Sequence, residues 1–337
     1  MKWLLKRLGR TIGVIFTVVT LTFALIHALP GGPMEFIKAQ LLAGQQGKRV
    51  SPERIQTLAE SYLNVNPSEP LYIQYIDYIT SIAQADLGQS VWYGAPVANI
   101  LADAIPWTLF LMGTSLLISY SLGIVGGAIL AYNEGGRFDQ LASVGATLLN
   151  SIPFYLVAIF FVYIFAYQFN LFPPRGRVAS SIEPGFTAAY LGSVLHHAVL
   201  PLLSVVLTEF GGVLLQMRGN SIQVIGEDYV RVGRLRGLSG NRLSTQYVAR
   251  NAILPMYTSL MISIGFMFGG SIILERVFSY PGVGYYMFKA INSRDYPLMM
   301  GAFLLITTAV IVGILVAELT YSRIDPRITS AEAQRPE

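Results

Sequence analysis

Residues 227–255 read EDYVRVGRLRGLSGNRLSTQYVARNAILP, a basic, glycine-punctuated stretch lying between two apolar runs. It carries Arg231, Arg234, Arg236, Arg242 and Arg250 but no grouping of residues that performs chemistry by itself. Glu227 and Asp228 stand at its front and the arginines follow, the charge order that complements a helix dipole, and glycine is a good helix terminator. The pattern predicts a short helix over about 227–239, with Val230, Gly233 and Gly237 sharing one face. Two missing side chains on that face would let the helix sit deep in a partner's groove. Two readings fit the spacing equally: a handle by which a soluble partner moves a membrane part, or an amphipathic helix bound to anionic lipid.

Composition says what the stretch is attached to. Of 337 residues, 53% are hydrophobic and 12% charged, far from the roughly 25% charged usage of soluble domains. The mean hydropathy is +0.53. Several apolar runs approach the ~20 residues that a helix needs to cross a bilayer, and none shows the alternation of barrel strands. The expected fold class is all-α integral membrane with six transmembrane helices, at roughly 11–29, 106–132, 151–169, 197–216, 252–274 and 298–319.

Six spans put both termini on one side of the membrane. Lys2, Lys6, Arg7, Arg10, the arginines of the 227–255 stretch, Arg323, Arg327 and Arg335 all fall there, and the positive-inside tendency makes that side cytoplasmic. The opening MKWLLKRLGR reads as the inner anchor of the first span rather than as a cleaved signal, because the apolar run is long and lacks a small-x-small site. The expected organisation is a cytoplasmic N-terminus and first span at 1–30, an extracytoplasmic cap at 31–105, a five-helix core at 106–322 with a cytoplasmic loop at 217–251, and a cytoplasmic tail at 323–337. In the cap, Ser51-Pro52 is a helix start, and a second helix would place Tyr72, Ile76 and Ile79 on one face.

Zero cysteines exclude disulfides, thiol catalysis and thiolate metal sites. Of the three histidines, His27, His196 and His197, the adjacent pair reads as an interfacial helix start before it reads as metal or proton handling. Gly123 with Gly127, and Gly265 with Gly269, are small residues four apart that let helices approach closely. Pro153, Pro201 and Pro255 favour bends. Glu209, within LLSVVLTEFGGVLLQ, is the ionisable group that stands out inside a span. At about 2.5–3.5 kcal/mol for a mid-membrane charge it must face protein or water, so it is a candidate for the translocation path or for a structural pairing.

A family resemblance decides between the readings of the basic stretch. Asp228-Tyr229-Val230-Arg231, then Arg234, Gly237 and Arg250-Asn251-Ala252-Ile253-Leu254-Pro255, resemble the EAA loop of ABC importer permeases, in the longer form of the dipeptide, oligopeptide and nickel branch, whose usual pattern is close to DYVRTARAKG. Asp86-Leu87-Gly88-Gln89-Ser90 with Pro96-Val97, Ser151-Ile152-Pro153-Phe154, Phe278-Ser279-Tyr280-Pro281-Gly282-Val283-Gly284, Arg294-Asp295-Tyr296-Pro297 and Asp325-Pro326-Arg327 are similarly placed to other stretches of that branch. Gly233 stands where the branch usually has alanine, and Leu235-Arg236-Gly237 stands for alanine-lysine-glycine.

The resemblance implies a type I ABC importer (MetI-like) permease fold with a small helical extracytoplasmic insertion, in the plasma membrane of a prokaryote. It implies a second homologous permease, two ABC ATPase subunits and an extracytoplasmic solute-binding protein as partners, besides the lipid bilayer and with no nucleic acid. Glu227, Asp228, Tyr229, Val230, Arg231, Gly233, Arg234, Arg236, Gly237 and Leu238 would form the ATPase-coupling site. Tyr280, Pro281, Gly282 and Asp295 would contribute to docking of the binding protein, with Tyr280-Pro281-Gly282 read as a type II turn. The chain has no G-x-x-x-x-G-K-[ST] phosphate loop, so it would bind no cofactor, ATP and Mg being used by the partner subunits, and it would not be an enzyme. The expected cargo is a dipeptide or oligopeptide, with oligosaccharide or nickel as alternatives. An ion-coupled secondary transporter would need several intramembrane carboxylates or matching broken helices in two halves, where only Glu209 lies well inside a span. No G-x-S-x-G or H-E-x-x-H supports a membrane enzyme.

Overall fold

The computed structural model describes residues 2–28, 62, 69–267 and 272–324. The helix start at Ser51-Pro52, Gly269 and the 325–337 tail lie outside the described residues. Within them the secondary structure is helical, with no strand and one isolated bridge between Gln89 and Pro96. Helix α1 spans Lys2–Ala28, α2 Leu71–Ala83, α3 Val97–Tyr132, and α4 Arg137–Ser151. Helix α5, Phe154–Phe161, continues as a π-helical stretch Val162–Gln168. Helix α6 is Ala188–Ile225 and α7 is Asp228–Leu235. A turn Gly240–Arg242 and a π-helical stretch Leu243–Ala249 lead into α8, Arg250–Met267. Then come α9, Ile272–Val277, α10, Val283–Ser293, and α11, Tyr296–Ile324.

Among the described residues four helices are long and apolar enough to cross a membrane, over Leu5–Leu25, Val97–Tyr132, Ala188–Ile225 and Tyr296–Thr320. A fifth span is available if α4 and α5 are one helix broken at Ile152–Pro153, where the axis turns by 87°. Proline has no N–H to continue the α4 ladder, which is why the break falls there. In that case the expected span 151–169 covers only its second half, and the first half is the amphipathic α4, whose polar residues hide it from a search for continuous apolar runs. Pro106, Pro201 and Pro255, by contrast, lie inside helices that continue through them.

The chain divides into two compact units. The first comprises 1–108, 268–272 and 281–312. Its core is Val97, Leu101 and Ala104 of α3 packed with Val283 and Ala290 of α10 and Leu298 and Ala302 of α11. A second cluster joins Val19 and Phe23 of α1 to Tyr78 of α2 and Leu304 of α11. Helix α2 buries Tyr78 and packs Tyr75, Ile79 and Ile82 beside it, whereas Tyr72 and Ile76 are exposed. Of the expected 72/76/79 stripe only Ile79 thus lies on the packed face.

The stretch from Asp86 to Val97 folds as a tight loop that launches α3. Gly88, at φ 76°, donates its N–H to the Asp86 side chain (3.0 Å), and the Val97 N–H returns to the Gly88 carbonyl (3.0 Å). Helix α3 consequently begins at Val97, several residues before the expected Pro106.

The second unit comprises 109–267, 273–280 and 313–337. Here α3, α4, α6 and α8 pack through small residues. A Cβ on Gly123 would stand 2.6 Å from Val213 Cγ1, and one on Gly127 would meet the Leu214 carbonyl. A Cβ on Gly313 would stand 2.5 Å from the Gly265 Cα. Gly123, Gly127 and Gly265 are therefore spent on packing within this chain. Lipid provides no hydrophobic drive between helices, so such close backbone contact is what holds them. Arg218 of α6 grips Asp139 of α4 through two bonds, Nε–Oδ1 at 2.5 Å and Nη2–Oδ2 at 2.7 Å.

Candidate coupling site

Helix α7 is only 8 residues long, too short to persist in water by itself. It is fixed by its ends and by one buried face. Glu227, in extended conformation, precedes it, and its carbonyl accepts from the Val230 and Arg231 N–H groups (3.0 and 3.2 Å). At the other end Gly237 adopts φ 74°. The Gly237 N–H reaches the Arg234 carbonyl (3.0 Å) and the Leu238 N–H reaches the Gly233 carbonyl (3.3 Å). This is the Schellman pattern, which requires a left-handed residue where glycine pays no Cβ penalty.

The buried face is Val230, 1% exposed, and Gly233. Val230 packs with Leu243 and Val248, and Val224, Ile225, Leu238 and Tyr247 close around them. Burying side chains of this size is worth about 1.5 kcal/mol or more each. Leu243 and Val248 are five apart, and in a π-helix that spacing returns to the same side. The packing therefore seats α7 against the root of α8. Tyr229 stacks on Tyr247 at 6.5 Å between ring centroids, and the Asn220 amide bonds the Ala252 carbonyl (3.4 Å), tying α6 to α8 just above.

The opposite face is open. Glu227, Asp228, Tyr229, Arg231, Val232, Arg234, Leu235, Arg236 and Gly237 are exposed, and Leu235 is 82% exposed. This corrects the expectation that Val230, Gly233 and Gly237 form the face offered to a partner. Val230 and Gly233 are turned inward onto the chain's own helix, and Gly237 ends α7. An apolar tip of Val232 and Leu235 ringed by arginines is what α7 presents. Leu235 was missed because an isolated leucine in a basic run carries no period to mark it, and Leu243 with Val248 because their spacing is not that of an α-helix.

Three of the four expected docking residues, Tyr280, Gly282 and Asp295, are not on the surface. Tyr280 is 0% and Asp295 1% exposed. Asp295 accepts from Ser90 Oγ (2.5 Å), the Trp92 N–H (3.1 Å) and the Leu298 N–H (3.2 Å), so it caps α11 while clamping the loop before α3. Pro281 is half-buried and Gly282 buried. Gly282, at φ −109° and ψ −171°, precedes α10 in extended conformation, whereas a type II turn would need positive φ there. The reversal lies at Ser279, φ 45°. In the same part of the chain Trp92 is 66% exposed, Ile291 50% exposed, and Arg294 is exposed. Tyr93, packed edge-on to Tyr286, has its hydroxyl pushed up to about 12, by burial first and then by Tyr286, Tyr285 and Asp295.

Glu209 lies midway along α6 and is exposed. His196 and His197 bond backbone carbonyls, of Leu171 (2.9 Å) and Ser193 (2.8 Å). Among the described residues no group of three or more His, Cys, Asp or Glu could hold a metal ion.

Residues 123–330 match the family described as binding-protein-dependent transport system inner membrane component. The chain is 30% identical to the dipeptide transport system permease protein DppB of Escherichia coli strain K12, over 97% of this chain and 98% of that one. It is 30% identical to the di/tripeptide transport system permease protein DppB of Pseudomonas aeruginosa strain UCBPP-PA14, with the same coverage. It is 27% identical to the oligopeptide transport system permease protein AppB of Bacillus subtilis strain 168, again over 97% and 98%. By the match to the family and by these relatives, the chain belongs to the binding-protein-dependent transport system inner membrane component family.

Proposed function

We propose that this member of the family is the permease subunit of an ATP-driven importer of dipeptides or oligopeptides, delivered by an extracytoplasmic binding protein. The names of its relatives support the cargo. The observation that supports the mechanism is the two-faced α7, with Val230 and Gly233 locked onto the root of α8 and Leu235 exposed among arginines. A rigid tip of this kind fits a groove on a cytoplasmic ATPase. Closure of two ATPase subunits on ATP and Mg would move α7, and α7 would carry α8 with it, exchanging inward-open for outward-open arrangements. Hydrolysis belongs to the partners; this chain converts it into movement.

In this reading the permease has six membrane spans, with α8 and α9 forming part of the one that completes the count. Both termini and the 217–251 loop are cytoplasmic, residues 31–105 form an extracytoplasmic cap, and a second, homologous permease completes the path. Docking of the binding protein falls to exposed residues of the outer loops, Trp92, Ile291 and Arg294, rather than to Tyr280 or Asp295. Glu209 faces the path or the second permease. The test is uptake into proteoliposomes holding the permease pair, the ATPases and the binding protein. Peptide uptake should require ATP and be insensitive to ionophores. Uptake that collapses with ionophores and proceeds without ATP would overturn the assignment.

A further inference from the structure

Along one edge of α6 lie residues seven apart, two helical turns each: Leu195, Leu202, Glu209, Gln216 and Gln223. All but the half-buried Leu202 are exposed. The first half of this edge is apolar; from Glu209 onward it is polar, with Gly212 and Gly219 between. An edge facing hydrocarbon would stay apolar across the bilayer, because a carboxylate at this depth must face protein or water.

A second feature meets the edge at the same level. Helix α4 runs antiparallel to α6, with Asp139 on Arg218, the Ala146 carbonyl against Gly211, and Asn150 Oδ1 2.7 Å from where a Cβ of Gly212 would stand. Gly212 is one turn from Glu209. One residue beyond Asn150, α4 ends at the 87° break, so the negative pole of its dipole lies there. Asn150 and the C-terminus of α4 thus lie about one helical turn along α6 from the Glu209 carboxylate. Glu209 makes no hydrogen bond or ion pair among the described residues, and Arg218, further along α6, is held by Asp139. Broken helices whose C-terminal ends receive cations are how transporters build sites at mid-membrane.

We infer that Glu209, Asn150 and the end of α4 form a cation subsite for the protonated amino group of a peptide in transit. The inference rests on the peptide-import reading above. An ammonium carries three donors, and carboxylate, amide oxygen and backbone carbonyl answer them. A divalent metal would want about six ligands, which one carboxylate and one amide do not supply.

The experiment uses the complete transporter in proteoliposomes. A peptide with a free amino terminus and a photoreactive diazirine in its first residue is imported under illumination, beside a peptide carrying the diazirine in its last residue. The first should cross-link to residues around 206–213 or 150–153, and the second should do so far less. Glu209→Gln should assemble with the second permease yet lower uptake roughly tenfold or more, the size of one charge-assisted hydrogen bond, and Glu209→Asp should restore most of it. Unchanged uptake by Glu209→Gln, or no preference between the two cross-linkers, would overturn the subsite alone. Failure of Glu209→Gln to assemble would overturn it in favour of pairing with the second permease. Should the wild-type transporter import no peptide at all, the peptide reading and the subsite fall together.

Discussion

Gly233 stands so close to Leu243 that a Cβ on it would lie 2.9 Å from Leu243 Cδ1. The contact joins the buried face of α7 to the π-helical stretch below α8, so the size of residue 233 sets how α7 seats there. The tip of a leucine can yield, so Gly233→Ala should keep transport and cost under about 1 kcal/mol. Gly233→Leu should lift α7 off its seat. The expected signature is ATPase activity that no longer drives uptake, measured as peptide imported per ATP hydrolysed.

Gly237 tests the termination of α7 rather than its docking. Nothing lies within 4 Å of a Cβ built there, but its φ is +74°. Any L residue pays about 1–2 kcal/mol for that conformation, with asparagine paying least. Gly237→Asn should therefore support uptake close to wild type while Gly237→Val does not. Equal activity of the two variants would show that the left-handed turn is dispensable.

Leu235, at 82% exposed, contributes nothing to the packing of this chain. Leu235→Asp should leave membrane insertion and permease stability unchanged within about 0.5 kcal/mol, yet abolish co-purification with the ATPase subunits. Retention of those subunits at the wild-type level would locate the interface elsewhere on the chain.

The Arg218–Asp139 pair joins α6 to α4, with Asp139 2% and Arg218 26% exposed. Removing one partner leaves the other charge uncompensated, a cost that the partial exposure of Arg218 to solvent reduces. Asp139→Ala should lower the midpoint of thermal unfolding in detergent, and Asp139→Ala with Arg218→Ala together should lower it less than the sum of the singles.

Gly127 and Gly145 make a matched pair of glycines. A Cβ on Gly127 meets the Leu214 backbone, whereas one on Gly145 meets nothing within 4 Å. Gly127→Ala should destabilise by about 1–3 kcal/mol through overpacking and Gly145→Ala should not, as read from the same melting curves.

Much of the molecule was legible in its residues. Long apolar runs marked α1, α3, α6 and α11 because a bilayer imposes length and composition on whatever crosses it. The basic stretch marked α7 because charge order and glycine position are local signals. The amphipathic α4 was missed, since a helix that packs on protein need not be apolar. Gly282 was misread as part of a type II turn because proline followed by glycine has the same composition whether the chain reverses or starts a helix.

What the sequence by itself determined, then, was what depends on neighbours along the chain: a helical membrane protein, the position of the basic loop, and a short helix at its start. Only the tertiary structure decided which face each element turns inward. Val230 and Gly233 face Leu243 and Val248 through a π-helical register that no α-period anticipates. Asp295 is buried because Ser90 and Trp92, about two hundred residues earlier in the chain, come back to it. Such contacts are set by packing between distant segments, and side-chain spacing within one segment carries no record of them.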